Sequence, residues 1–302
     1  MRNSFQINGL ERIAVVGVGL LGGSIGLALR AAGYTGRRVG IGRRLESLQK
    51  ALNYDAVDEV TCDVPAGVAD AQMVILGTPV GRFESLLSQM APALRPGTLV
   101  TDVASTKVEV ARLAARFLPQ TVRFVGSHPM AGSEKAGVEY ARADLFEDAL
   151  CLITPSRSTP ADTVEQVSGF WQALGGRTVK LSPARHDKLL ARISHLPHAV
   201  AAALVQISLR NKAIELAGPG FGDATRIASG EPAMWTDIFR TNADNMVQAI
   251  DLLIAELRRF RERLAKDDAR GIEKWLASSK LTRDQWVALR YEQSHKPKGT
   301  ST

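Results

Sequence analysis

Short apolar runs and helical periodicities alternate along the first half of the chain. RIAVVG over 12–17, RRVGIG over 37–42, MVILGTP over 73–79, TLVTDV over 98–103 and VRFVG over 122–126 are β-rich runs and read as buried strands. Helical spacing covers 20–32, with many small residues, and 45–52. Apolar runs separated by helices imply a parallel sheet covered on both faces. LCLITP over 150–155 and RTVKL over 177–181 are expected to extend that sheet, with a helix over about 160–174 between them.

Beyond Ser182 the pattern changes. An alanine-rich apolar helix pattern covers 184–209 and a second covers 235–264; shorter helices are expected up to Tyr291, and strand signals nearly vanish. These helices carry more apolar surface than a domain of this size can readily hide, so a homodimer through the helical domain is expected. The organisation expected is an α/β domain over 11–182, an all-helical dimerisation domain over 183–292 and a disordered tail over 293–302.

Composition narrows the class. Of 302 residues, 45% are hydrophobic and 23% charged, as in ordinary globular proteins. The two cysteines, Cys62 and Cys151, lie far apart and form no disulfide or metal-ligand pattern. The first residues lack the layout of a signal peptide, and no apolar run reaches the roughly 18 residues that span a bilayer. A cytoplasmic protein without a membrane partner is expected. The net charge of +7 suits anionic small molecules. Because the basic residues are spread along the chain and no recognition motif occurs, nucleic acid is not expected as a partner.

GVGLLG, from Gly17 to Gly22, has the G-x-G-x-x-G spacing, follows a strand pattern and opens a helix pattern. Gly17 allows a tight turn, Gly19 lets the backbone approach a pyrophosphate, and Gly22 lets helix and strand pack closely. With Leu20 and Leu21 the motif presents free N–H groups of a helix N-terminus to phosphates. Thr78 and Pro79, ending the MVILGTP run, complete the expected cofactor-binding set. The fold expected is a Rossmann-type doubly wound sheet followed by helices. NAD enzymes usually place an acid at the end of the second strand, but here Gly42, Arg43 and Arg44 follow it. Guanidinium groups can grip a 2′-phosphate, so NADP is expected over NAD, with Arg43 and Arg44 as readers.

Five histidines are candidates for proton transfer: His128, His186, His195, His198 and His295. His128 stands in GSHPMAGSE, just past an expected strand end. Pro129 pushes it towards an extended backbone, which stiffens a group suited to accept a proton. His195 and His198 share one side of a helix. No acid or cysteine is placed to complete a zinc site with them, so no metal is expected.

DVASTK over 102–107, GSHPMAGSE over 126–134, ARHDKLLARISHLPHAVA over 184–201 and FGDATRIASGEPAMWTDIF over 221–239 occur in that order after GVGLLGGS. Together they resemble the prephenate/arogenate dehydrogenase family of tyrosine biosynthesis over about 12–265. The resemblance implies oxidative decarboxylation of a cyclohexadienol to an aromatic product, coupled to hydride transfer to NAD(P). It implies that His128 accepts the hydroxyl proton and that Ser105 bonds the same hydroxyl. It places Arg226 on a substrate carboxylate, His198, His195 and Trp235 on the substrate side, and Glu134 at the pocket mouth. His186 and Asp187 match the family's His-Asp pair, expected to support the helical domain around the cleft. Ser105 also reads as a helix cap, Trp235 as core, and both His195 and His198 as histidines packed inside a helix. Two departures stand out: the arginines at 43 and 44 replace an acid, and Gly222 stands where an arginine is common. The rivals are an NADP-linked β-hydroxyacid dehydrogenase, which would use a lysine on the helical domain, and a non-catalytic NADP-binding sensor.

Overall fold

The computed structural model describes residues 7–133, 135–209 and 213–294. Six parallel strands form the main sheet: β1 (Arg12–Val16), β2 (Arg37–Ile41), β3 (Glu59–Thr61), β4 (Met73–Leu76), β5 (Leu99–Asp102) and β6 (Arg123–Phe124). Their order is β3-β2-β1-β4-β5-β6, so the chain reverses direction across the sheet between β1 and β4, where such folds bind ligands. Connecting helices are α1 (Leu20–Ala31), α2 (Leu45–Asn53), α3 (Val64–Val68), α4 (Phe83–Met90) and α5 (Val108–Phe117). Burial on both faces explains the unbroken apolar runs. Ile13 and Val15 join one core, and Ala14 and Val16 join another on the opposite face.

The expectation of a single extended sheet is not met. β7 (Gly126–Pro129), β8 (Leu150–Thr154) and β9 (Arg177–Lys180) form a separate three-stranded sheet, in which β7 runs antiparallel to β8. The apolar run over 122–126 is divided: Val125 N–H still donates to Val100 O on β5 (3.2 Å), whereas Gly126 pairs with Thr154. Periodicity specifies that a segment is extended, not which neighbour it pairs with. α6 (Ala161–Ala173) joins β8 to β9.

Helices follow. α7 (Pro183–Leu190) continues through a π-helical turn at Ala191–His195 into α8 (Leu196–Leu209), on one helical path. Next come α9 (Pro219–Thr225), a 3₁₀ turn at Arg226–Ser229, α10 (Pro232–Thr241), α11 (Ala243–Ala265) and α12 (Ala269–Ser294). The pattern read as one helix over 235–264 breaks at Asn242, whose amide side chain is drawn into hydrogen bonds with other helices. In place of shorter helices, α12 runs for 26 residues. Gln293 and Ser294 of the expected tail belong to it, and 295–302 lie outside the described residues.

Two compact units divide the chain, Met1–Met246 and Val247–Thr302. Within the second, α11 and α12 are joined by a stack of Phe260 on Trp275 (4.7 Å) and by Trp275 Nε1–H donating to Glu256 Oε1 (2.6 Å). It exposes Leu252, Leu257, Leu276 and Leu281. Among the described residues no helix is long and apolar enough to cross a membrane.

Candidate active site

The glycine-rich turn links β1 to α1 as its spacing requires. Gly17 has φ +96°, a conformation side chains disfavour. A Cβ on Gly22 would fall 2.1 Å from the Gly17 carbonyl oxygen, while one on Gly19 would meet only open space. Gly19 precedes α1 with no side-chain cap, which leaves the N–H groups of the first turn available. A cleft of ≈ 570 Å³ opens here, lined by Gly17, Gly19, Thr78 and Pro79 and by the basic side chains of Arg43, Arg44, Lys50 and Arg82. The Thr78 hydroxyl is buried and lacks a hydrogen-bond partner. Open space over a glycine, uncapped N–H groups, a waiting hydroxyl and converging cations fit a dinucleotide.

Arg43 and Arg44 follow β2 after Gly42, with Ser47 of α2 lining the same cleft. Glu46 is not among the lining residues and lies near Lys50 (4.0 Å). The sequence offers no acid at the end of β2, yet Glu139 lines the cleft, brought there by the 3₁₀ turn Val138–Tyr140 that packs on α1.

His128 lies within β7 rather than beyond a strand of the main sheet. Its Nδ1 is 2.9 Å from His186 Nε2, and His186 Nδ1 is 2.8 Å from Asp187 Oδ1. All three are buried. The carboxylate can only accept, so His186 Nδ1–H donates to it and His186 Nε2 accepts. His128 Nδ1–H therefore donates to His186, and the lone pair of neutral His128 is on Nε2. Burial, with the neighbouring His186, Lys107 and His195, holds the His128 imidazole well below the usual histidine range. It is neutral at physiological pH, the form that can accept a proton.

Asp187 also caps α5: Lys107 N–H donates to its Oδ1 (2.8 Å) and Val108 N–H to its Oδ2 (2.9 Å). The capping role open to Ser105 is thus filled from eighty residues away, and Ser105 sits half-buried in the β5–α5 turn. Beneath this turn Lys107 forms a fully buried ion pair with Asp102. Asp102 further accepts from Ala104 N–H (2.8 Å), while Ser127 Oγ–H donates to the Asp102 carbonyl (2.6 Å). Burial pushes the Asp102 carboxyl up, against the pull of Lys107.

On the helical side, Asn242 Nδ2 donates to the Asp187 carbonyl (2.8 Å) and lies 3.2 Å from His195 Nδ1. His195 is buried and its pKa is lowered to about 4 by burial, partly offset by Asp187 and the backbone of Ser105. His198 stacks on Trp235 at 3.6 Å between ring centres, and its buried Nδ1 has no hydrogen-bond partner. Burial holds its pKa below the ordinary value. The turn carrying Arg226 packs on α8, the helix of His198, and its side chain is exposed. Glu134 lies outside the described residues. Among those residues no three His, Cys, Asp or Glu are gathered to hold a metal ion.

Sequence reading missed Asn242, Glu139, Ser47 and the Asp102–Lys107 pair. The pair had one signal, a lysine and an aspartate bracketing VAST between strand and helix patterns. The other three had none, because their roles arise from contacts between distant segments.

The model of the prephenate dehydrogenase nucleotide-binding domain matches residues 25–180, and that of the prephenate dehydrogenase dimerization domain matches 182–278. A prephenate dehydrogenase of Bacillus subtilis is 36% identical over 280 residues, covering 91% of this chain and 76% of the relative. The crystal structure of prephenate dehydrogenase from Aquifex aeolicus with hydroxyphenyl propionate and NAD+ superposes with a TM-score of 0.87 at 34% identity, over 91% of this chain and 98% of that one. The Synechocystis arogenate dehydrogenase structure gives 0.78 at 29% identity, over 91% and 99%. On the matched spans and the shared fold, the chain belongs to the prephenate dehydrogenase family.

Proposed function

We propose that this enzyme carries out the oxidative decarboxylation of prephenate, arogenate or both, with NADP as the preferred cofactor. The observation that carries the reading is His128: neutral, buried, and aligned by His186 and Asp187 in the same unit as the glycine-rich cleft. Bound nicotinamide supplies a hydride acceptor for the carbinol carbon of the substrate. His128 Nε2 takes the hydroxyl proton as the C–O bond becomes a carbonyl. Its Nδ1–H, directed at His186, keeps the lone pair in place and shares the charge that develops. Loss of CO₂ from the opposite ring carbon sends its bonding electrons into the ring, and the carbonyl oxygen, becoming a phenol, takes back the proton held by His128.

Ser105 bonds the same hydroxyl, and Arg226 holds a carboxylate with its planar fork. The unpartnered Nδ1 of His198 and the indole of Trp235 form the wall for the side chain, with His195 behind them. Glu134 borders the entrance. Gly17, Gly19, Leu20, Leu21, Gly22, Thr78 and Pro79 hold the pyrophosphate and nicotinamide end, and Arg43 and Arg44 read the 2′-phosphate. The exposed leucines of α11 and α12 are covered by a second copy, which makes the enzyme a homodimer.

The test is turnover of prephenate and of arogenate, each with NADP and with NAD, followed by absorbance of the reduced cofactor. Activity with at least one substrate and higher kcat/KM with NADP is expected. Inactivity with both substrates overturns the assignment, and a strong preference for NAD overturns the cofactor choice alone.

A further inference from the structure

Helix α10 carries Trp235, and two of its other residues are fastened to the ends of adjacent strands of the main sheet. Gly81, five residues beyond β4, donates its N–H to Asp237 Oδ2 (3.1 Å). Thr106, four residues beyond β5, pairs its hydroxyl with that of Thr241 (2.9 Å), and the Thr241 hydroxyl also meets the Asp237 carbonyl (2.7 Å). The contact at Gly81 is close: a Cβ there would lie 2.5–2.8 Å from the Asp237 carboxylate. The turn Val80–Arg82 bearing Gly81 follows Thr78 and Pro79, and Arg82 lines the nucleotide cleft. One side-chain carboxylate thus connects the wall of the cofactor cleft to the helix that carries Trp235.

We infer that Asp237 is a positioning residue for the dehydrogenase reaction: through the Gly81 N–H it sets the register of the Trp235-bearing helix against the cofactor wall, and so the alignment of substrate with nicotinamide. The inference rests on the proposed placement of Trp235 beside the substrate. Hydride transfer is steep in distance and angle, and a group displaced by about 1 Å can cost as much as roughly 10²-fold in rate. A link of this kind therefore acts on kcat more than on binding of either partner alone.

Three variants test it: Asp237→Ala, which removes the acceptor; Asp237→Asn, which retains an oxygen for the Gly81 N–H; and Gly81→Ala, which forces the contact apart. Asp237→Ala and Gly81→Ala are expected to lower kcat about 10- to 10²-fold, with the Kd of reduced cofactor and the KM of substrate changed less than about threefold. Asp237→Asn is expected to restore most of the rate. The double variant Gly81→Ala/Asp237→Ala should be no slower than Asp237→Ala, because the clash and the bond are the same contact. Amide hydrogen exchange gives a readout that needs no turnover: the Gly81 amide should be protected in the parent and in Asp237→Asn, and faster in Asp237→Ala. Parental kcat in Asp237→Ala, equal impairment of Asn and Ala, or unchanged exchange at Gly81 each overturns the inference. An inactive parent with normal Gly81 protection overturns the functional assignment and leaves the structural link standing.

Discussion

Around His128 the polar groups are buried and bonded to one another across three distant segments, whereas the cations lining the nucleotide cleft, from the β2–α2 segment and the turn after β4, are exposed. The two regions use charge differently. Near His128 the buried charges of Asp102, Lys107 and Asp187 are all paired, Asp102 with Lys107 and Asp187 with two N–H donors. Burying them carries a desolvation cost that only complete pairing offsets. What this secures is an environment that keeps an imidazole neutral and fixed. In the cleft, Arg43, Arg44, Lys50 and Arg82 are exposed to solvent, so the fold would lose little if they were given over to recognition. A substitution near His128 should therefore disturb chemistry or folding, and one in the cleft should disturb selectivity.

The sharpest way to break the comparison is at His128, the proposed base. His128→Asn should lower turnover by roughly 10²–10⁴-fold, the range of a general base, with unchanged affinity for reduced cofactor measured by fluorescence titration. A variant with full activity would move the proton acceptor elsewhere. Next in size is Lys107→Met, which strands the buried Asp102 carboxylate. It should cost about 3–5 kcal/mol in urea unfolding, the range for breaking one side of a buried pair. On the cleft side the expectation is smaller and of another kind. Arg43→Ala should lower kcat/KM for NADP by roughly tenfold, as loss of one charge-assisted bond of about 1.4 kcal/mol implies, with the value for NAD unchanged and unfolding unaffected. Equal losses with both cofactors would remove Arg43 as a reader of the 2′-phosphate.

The smallest effect sharpens the contrast through pH. His128, His186, His195 and His198 all have folded pKa values below the ordinary one, because burial disfavours their charged form. Their unfolded values are ordinary, so below about pH 6.5 the unfolded chain binds protons that the folded chain refuses, and stability falls as pH falls. Thermal melts should therefore drop from pH 7 to pH 5, and His198→Phe should lessen that slope.

Much of this molecule was legible before its structure. Unbroken apolar strand runs, GVGLLG and the ordered segments around Ser105, His128, His198 and Arg226 carried the fold class and the family, because short-range geometry is written in local residue types. Gly17 must adopt a positive φ and Gly22 must lie against a carbonyl, and only glycine does both without strain. The sheet partner of the 122–126 run was not legible, since alternation and apolarity say nothing about which neighbour a strand finds. Nor was Asp187 as the cap of α5, Asn242 as the bond between helices, or Glu139 as an acid in a cleft whose own strand supplies none. Each of these is a hydrogen bond or an approach between groups far apart in the chain, and its energy depends on coordinates that residue order does not contain. The sequence by itself settled which chemical groups this protein carries and what local backbone each requires; tertiary structure alone decided which of them meet, because pairing at about 3 Å is a property of packing and not of order.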